Sequence, residues 1–112
     1  MDHISWNDFM KVDMRVGTII AAEPFPQARK PAYKLTIDFG ADIGTKRTSA
    51  QITTLYQPDT LIGQQVIAVV NFPPKQIGPF MSECLVMGSV AANGTVTLLT
   101  TTQPTENGLR IG

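Results

Sequence analysis

Tyr33-Lys34-Leu35-Thr36-Ile37-Asp38-Phe39 alternates apolar and polar side chains without a break. A period of two turns one face of an extended chain to a core and the other to water, so this is the clearest strand in the sequence. Upstream, Val12, Met14, Val16 and Ile20 alternate similarly with Asp13 and Arg15, and Gly17 inside that run predicts a bulge that lets a long first strand curl. Curled strands close barrels. Downstream, Thr48 to Ile52 reads as a short polar strand, Val66 to Phe72 as a strand buried on both sides, and Cys84 to Val90 and Val96 to Thr100 as two more. Asn93-Gly94 separates the last pair, where both residues can take positive φ in a tight hairpin turn. Thr53 to Leu61 is the one helical candidate, a turn or two interrupted by Pro58. The pattern predicts an all-β fold, a five-stranded OB-fold β-barrel with a short helix after strand 3 and C-terminal extension strands. A sandwich normally needs about seven strands over ~100 residues, and fewer are offered here.

The length of 112 residues fits one domain spanning 1–112. Hydrophobic residues make up 43% and charged residues only 16%, with a mean hydropathy of +0.04. That composition excludes disorder and leaves apolar surface that a homodimer would cover. A single Cys84 and a single His3 leave no internal disulfide, no Cys-built zinc site and no imidazole pair, so no metal or other cofactor is expected. Acids stand near the N-terminus where a signal peptide needs basic residues, and the longest apolar run, Val66 to Val70, is far short of a bilayer span. A cytoplasmic protein without membrane insertion is the expectation.

Net charge is zero, yet residues 11–47 carry a net +3. Nucleic-acid binding would have to come from a local patch and be weakened by salt. Catalytic patterns fail: His3 lies in an N-terminus expected to be mobile, Cys84 has no base beside it and reads as core, and Gly44-Thr45-Lys46 lacks the spacing of a phosphate loop. The Asp38 and Asp42 carboxylates flank a loop that they cap or solubilise. Asn93-Gly94-Thr95 matches a glycosylation sequon, but the hairpin reading is stronger. Met14 and Met87 fall at packing positions, with Met81 unsettled. An enzyme is not expected.

Asn71-Phe72-Pro73-Pro74-Lys75-Gln76-Ile77-Gly78-Pro79-Phe80-Met81-Ser82-Glu83 is the most unusual segment. It reads as too Pro-rich for a strand interior and too apolar for a solvated turn. Two readings stand: a rigid loop plugging one end of the barrel, or a stiff binding lip. A second candidate face comprises Arg15, Lys34, Arg47, Ser49 and Gln51, where cations would hold phosphates and amides or hydroxyls would meet base edges. Solvated strand faces have the same composition.

Phe25 through Leu35, Ile37-Asp38-Phe39-Gly40, Thr48 through Thr53, Val70-Asn71-Phe72-Pro73-Pro74 and Ser82-Glu83 together resemble the CsaA family of export-related chaperones. The likeness runs in order from about Phe9 through Asn107-Gly108 to Ile111-Gly112. CsaA proteins belong to a wider group of tRNA-binding OB domains that includes structure-specific tRNA-binding proteins and the C-terminal appendix of some methionyl-tRNA synthetases. The resemblance implies a cofactor-free homodimer that binds unfolded or precursor polypeptides, linked to the export machinery, with tRNA as a second ligand.

Peptide contacts then fall to Asn71, Phe72, Ile77, Phe80, Met81 and Ser82, which would take extended, apolar, partly basic segments. RNA contacts fall to Arg15, Lys34, Arg47, Ser49, Gln51, Asn71, Lys75 and Ser82. The wider group tends to be basic at the positions of Pro73, Gln76 and Gly78, which leaves Lys75 as the only cation of that loop. Each missing phosphate contact weakens RNA binding by a salt-sensitive increment. Which polypeptides or RNAs bind, whether they share one site, and where the dimer seam runs are not legible from the sequence.

Overall fold

The computed structural model describes residues 1–112. Its elements in chain order are α1 (Trp6–Met10), β1 (Met14–Pro24), β2 (Tyr33–Asp38), β3 (Thr45–Ala50), α2 (Pro58–Leu61), β4 (Gln65–Val69), β5 (Lys75–Ile77), β6 (Phe80–Ser82), β7 (Leu85–Val86), β8 (Gly88–Val90) and β9 (Val96–Leu98). Five strands form one antiparallel sheet in the order β3-β2-β1-β4-β7. The sheet curls until its edges meet: Thr48 Oγ1 donates to the Cys84 carbonyl at 2.7 Å, and Glu83 N–H to the Arg47 carbonyl at 2.8 Å. The result is the nearly closed OB-type barrel, with α2 following β3.

Alternation fixes which residues fill it. Tyr33, Leu35 and Ile37 of β2 point inward and meet Ile19, Val66, Ala68, Leu61 and Cys84. β4 is buried along Val66 to Val69, as expected of a strand covered on both faces. The thiol of Cys84 lies in this core, and burial pushes its pKa up to about 11. No helix is long and apolar enough to cross a membrane.

Several local expectations are corrected. The register of β1 against β2 shifts between Ile19 and Ala21, so the bulge lies at Ile20, which is turned outward, and not at Gly17. Gly17 instead marks a close approach: a Cβ there would come within 2.5 Å of Ile37 Cγ2 and 2.7 Å of the Phe39 ring. Val12 lies outside the strand. A short helix, α1, which the sequence reading did not include, is opened by a capping box in which Asp8 N–H donates to Ser5 Oγ at 3.0 Å and Ser5 N–H to Asp8 Oδ2 at 3.2 Å. Pro58 opens α2 at its first turn, where its missing N–H has no helical partner to lose. β3 starts at Thr45 and ends at Ala50, and the expected strand over 84–90 divides into β7 and β8.

Only Gly94 of the β8–β9 turn has positive φ (+88°), with Asn93 Oδ1 accepting from Thr95 N–H at 3.0 Å. The Pro-rich segment is not loop throughout: Lys75 to Ser82 are strand and turn. They form the β5–β6 hairpin, with Ile77 opposite Phe80 and a two-residue Gly78-Pro79 turn in which Gly78 takes φ +56°.

The buried thiol sets a pH dependence. Its pKa is raised in the folded protein, so its contribution to stability is present below its ordinary value near 9 and is lost as pH rises through about 11. Alkylation of the native protein by iodoacetamide at pH ~8 is expected to be at least ~100-fold slower than in denaturant. Equal rates would contradict a buried, protonated Cys84.

Candidate binding groove

The site lies on the outer face of β2 and β3, between two connections. Residues of β2 and β3 that alternate away from the core, Lys34 and Thr36, then Arg47 and Ser49, stand on this face, with Lys34 opposite Ser49 and Thr36 opposite Arg47. The β1–β2 connection folds back through backbone bonds from Phe25 N–H to the Ala32 carbonyl at 3.1 Å and from Ala28 N–H to the Phe25 carbonyl at 3.2 Å. That bend presents Phe25 to Phe80 of the hairpin. Their ring centroids are 5.4 Å apart at 60°, and with Ala32 they form a second small core, separate from the barrel interior.

Charge is arranged around this core. Lys34 Nζ lies 5.6 Å from the Phe25 centroid and 5.9 Å from that of Phe80, and the Arg47 guanidinium lies 4.6 Å from Phe80. Such cation–π contacts are worth ~0.5–1 kcal/mol each at exposed sites. A hydroxyl relay fixes the hairpin base: Ser49 N–H lies 3.3 Å from Ser82 Oγ, which is 3.0 Å from Thr48 Oγ1. The Ser82 hydroxyl is therefore a brace for the hairpin.

Between connection and hairpin lies a groove of about 890 Å³. One wall is Gln27, Ala28, Arg29 and Lys30; the floor is Ala32, Ser49 and Gln51; the other wall is Lys75, Gln76, Ile77 and Gly78. Three cations and three amide side chains line it, and no carboxylate does. β5 forms its rim and pairs only with β6, so its outer edge has no strand beside it. In OB folds the strand 2–3 face and the loops flanking it are where ligands are held.

The structure thus brings Ser49, Gln51, Lys75 and Ile77 to one groove, with Lys34 and Arg47 beside it. It separates the others. Asn71 binds the N-terminal segment, donating to the Lys11 carbonyl at 2.7 Å and accepting from Asp13 N–H at 3.1 Å. Arg15 is engaged by Asp13 (Nε to Oδ1, 2.6 Å) and by the Gly108 carbonyl at 3.0 Å. The hydrogen bond that Arg15 donates holds the Asp13 carboxyl below its ordinary pKa, and the same bond raises the pKa of the Arg15 guanidinium. Arg15 precedes Glu23 by eight positions of β1, roughly 26 Å of extended chain. Phe80 is buried, whereas Phe72 and Met81 are about half exposed and lie off the groove lining.

Sequence reasoning missed Gln27, Arg29, Lys30 and Gln76. The adjacent Arg29-Lys30 pair between Pro26 and Pro31 was the available signal.

The family described as putative tRNA binding domain matches residues 14–110. The crystal structure of chaperone CsaA from Bacillus anthracis str. Ames is 49% identical and superposes with a TM-score of 0.94 over 99% of this chain and 100% of that one. The CsaA chaperone protein from Picrophilus torridus is 52% identical, with a TM-score of 0.90 over 98% and 100%. Methionine–tRNA ligase of Methanoregula boonei is 35% identical over 108 residues, 96% of this chain. This chain spans only 15% of that ligase.

Because Phe80 joins both walls of the groove, Phe80→Ser is expected to lower unfolding free energy by ~3 kcal/mol, the usual scale for emptying a buried phenyl site, and to open the hairpin to limited proteolysis. Denaturant titration and protease digestion check this. An unchanged midpoint with a protected hairpin would contradict the packing role.

Proposed function

The chain belongs to the putative tRNA binding domain family and, within it, to the CsaA proteins, and we propose that it is a single-domain, non-catalytic, export-related chaperone that binds extended segments of unfolded or precursor polypeptide. The observation that carries this reading is the groove itself. Its volume, its amide-bearing walls and the unpartnered edge of β5 suit a peptide backbone, which can add to a sheet edge through main-chain hydrogen bonds. Arg29, Lys30 and Lys75 oppose the expected partly basic segment. They favour neutral or mildly acidic stretches, with Ala28 and Ile77 giving modest apolar contact. Phe72 and Met81 extend that contact outside the groove, while Phe80 acts through packing.

Pairing of two copies belongs to the same proposal. Ile4 and Trp6 at the N-terminal helix, and Leu85 and Val90 at the β7–β8 edge, are exposed apolar side chains that a second copy would cover. Likeness to chaperone structures and to a tRNA-binding domain supports the non-enzymatic part, and the cytoplasm is the proposed compartment.

A second reading, binding of tRNA or other structured RNA, has its own support: three cations with no carboxylate among the groove's lining residues. Three phosphate contacts imply a slope of about −2 to −3 in log K against log salt.

Titrating a labelled, permanently unfolded polypeptide is expected to give a dissociation constant on the order of 1 μM. Gln51→Trp, which fills the groove from an exposed position, should weaken it ~10-fold without shifting thermal unfolding. Unchanged affinity would remove the groove from the reading. For RNA, Lys75→Ala should flatten the salt slope by about one unit, and an unchanged slope would exclude phosphate contact by Lys75.

A further inference from the structure

Glu23 pairs with Lys34 across the β1–β2 ladder. Its Oε1 lies 3.5 Å from Lys34 Nζ and 3.9 Å from Arg47 Nη2, so one carboxylate faces cations on two successive strands. Both cations are steered over the Phe80 ring, on the sheet face that floors the groove, with Lys34 directly across from groove-lining Ser49. By contrast, Arg29, Lys30 and Lys75 have no carboxylate within 4.0 Å.

The Glu23 side chain is 59% exposed, and ion pairs so exposed contribute little to folding. Their field is another matter. A phosphate approaching Lys34 or Arg47 must displace a carboxylate already there, whereas an uncharged peptide group has no such competitor.

We propose that Glu23 is a specificity-determining residue, a built-in counter-ion that withholds Lys34 and Arg47 from phosphates and biases the groove toward polypeptide over RNA. The inference rests on the RNA-binding reading above and deepens it. Two classes of cation then meet a ligand: Arg29, Lys30 and Lys75, which line the groove and are open to an incoming anion, and Lys34 and Arg47 beside it, occupied from within. Neutralising Glu23 releases the second class without adding a positive residue.

The test measures binding of a labelled tRNA transcript and of a neutral unfolded polypeptide to wild type, Glu23→Gln and Asp59→Asn, between ~50 and ~200 mM salt. Asp59, exposed at the start of α2, supplies a control that removes the same charge elsewhere. Glu23→Gln is expected to bind RNA roughly fivefold to tenfold tighter at low salt, with a slope steeper by about one to two units. Polypeptide affinity should change less than about twofold, and Asp59→Asn should behave as wild type. The gain should vanish when Lys34→Gln and Arg47→Gln are added.

Wild-type RNA binding that is unchanged or weaker in Glu23→Gln overturns the inference and leaves the RNA reading standing. So does an equal gain in Asp59→Asn, a gain that survives loss of both cations, or an equal gain for the neutral polypeptide. No RNA binding by any variant at low salt overturns the RNA reading itself.

Discussion

Phe80 packed against Phe25 is the contact on which the groove depends. The barrel closes through its own ladders and through the Thr48 and Glu83 bonds, but neither closure forms a groove. The groove needs two walls held at a fixed separation, and those walls are a loop and a hairpin of two three-residue strands with little internal pairing of their own. A two-stranded hairpin alone is at best marginally stable in water. Burying one phenyl ring from each side of the groove together with Ala32 supplies the missing stability, and the aromatic pair adds ~0.5–1.5 kcal/mol beyond the area it hides. The same rings steer Lys34 and Arg47, so one small apolar cluster sets both the shape and the charge of the site.

The alternation of Tyr33 to Phe39 and the apolar run from Val66 were enough to read the barrel, because each is a direct record of which faces are buried. Local features were harder for identifiable reasons. A bulge and a close approach both favour glycine or irregular spacing, so Gly17 drew a bulge that the backbone makes at Ile20. Proline counts against strands only where an N–H must be donated, and Pro73, Pro74 and Pro79 all stand outside the paired residues of β5 and β6. The short α1 was hidden because its signal is a capping box and not an apolar stripe.

Site residues divided along the same line. Ser49, Gln51 and Lys75 could be placed because strand alternation gives their face. Arg15 has the right chemistry but the wrong face: it stands opposite core residue Ala68, on the side of β1 that Gly17 and Ile19 turn to the barrel, and at the end of the strand that meets residues 108–110, where Asp13 and the Gly108 carbonyl engage the guanidinium. Arg29 and Lys30 are contributed by a loop, and no periodicity reports where a loop points. Asn71 lies far from the N-terminal segment in sequence, so its clamp on Lys11 and Asp13 had no local signature. The resulting groove is polar, open and weakly cationic. Such a surface suits ligands recognised by backbone and charge, with limited discrimination among sequences.

Backbone chemical-shift mapping of the chain during titration with an extended neutral peptide addresses the central claim most directly. The account predicts the largest shifts at residues 27–32, Ser49, Gln51 and residues 75–78, with Asp13, Arg15 and residues 107–110 unmoved. Shifts concentrated at Arg15 and the C-terminal segment, or confined to the β7–β8 edge, would contradict it.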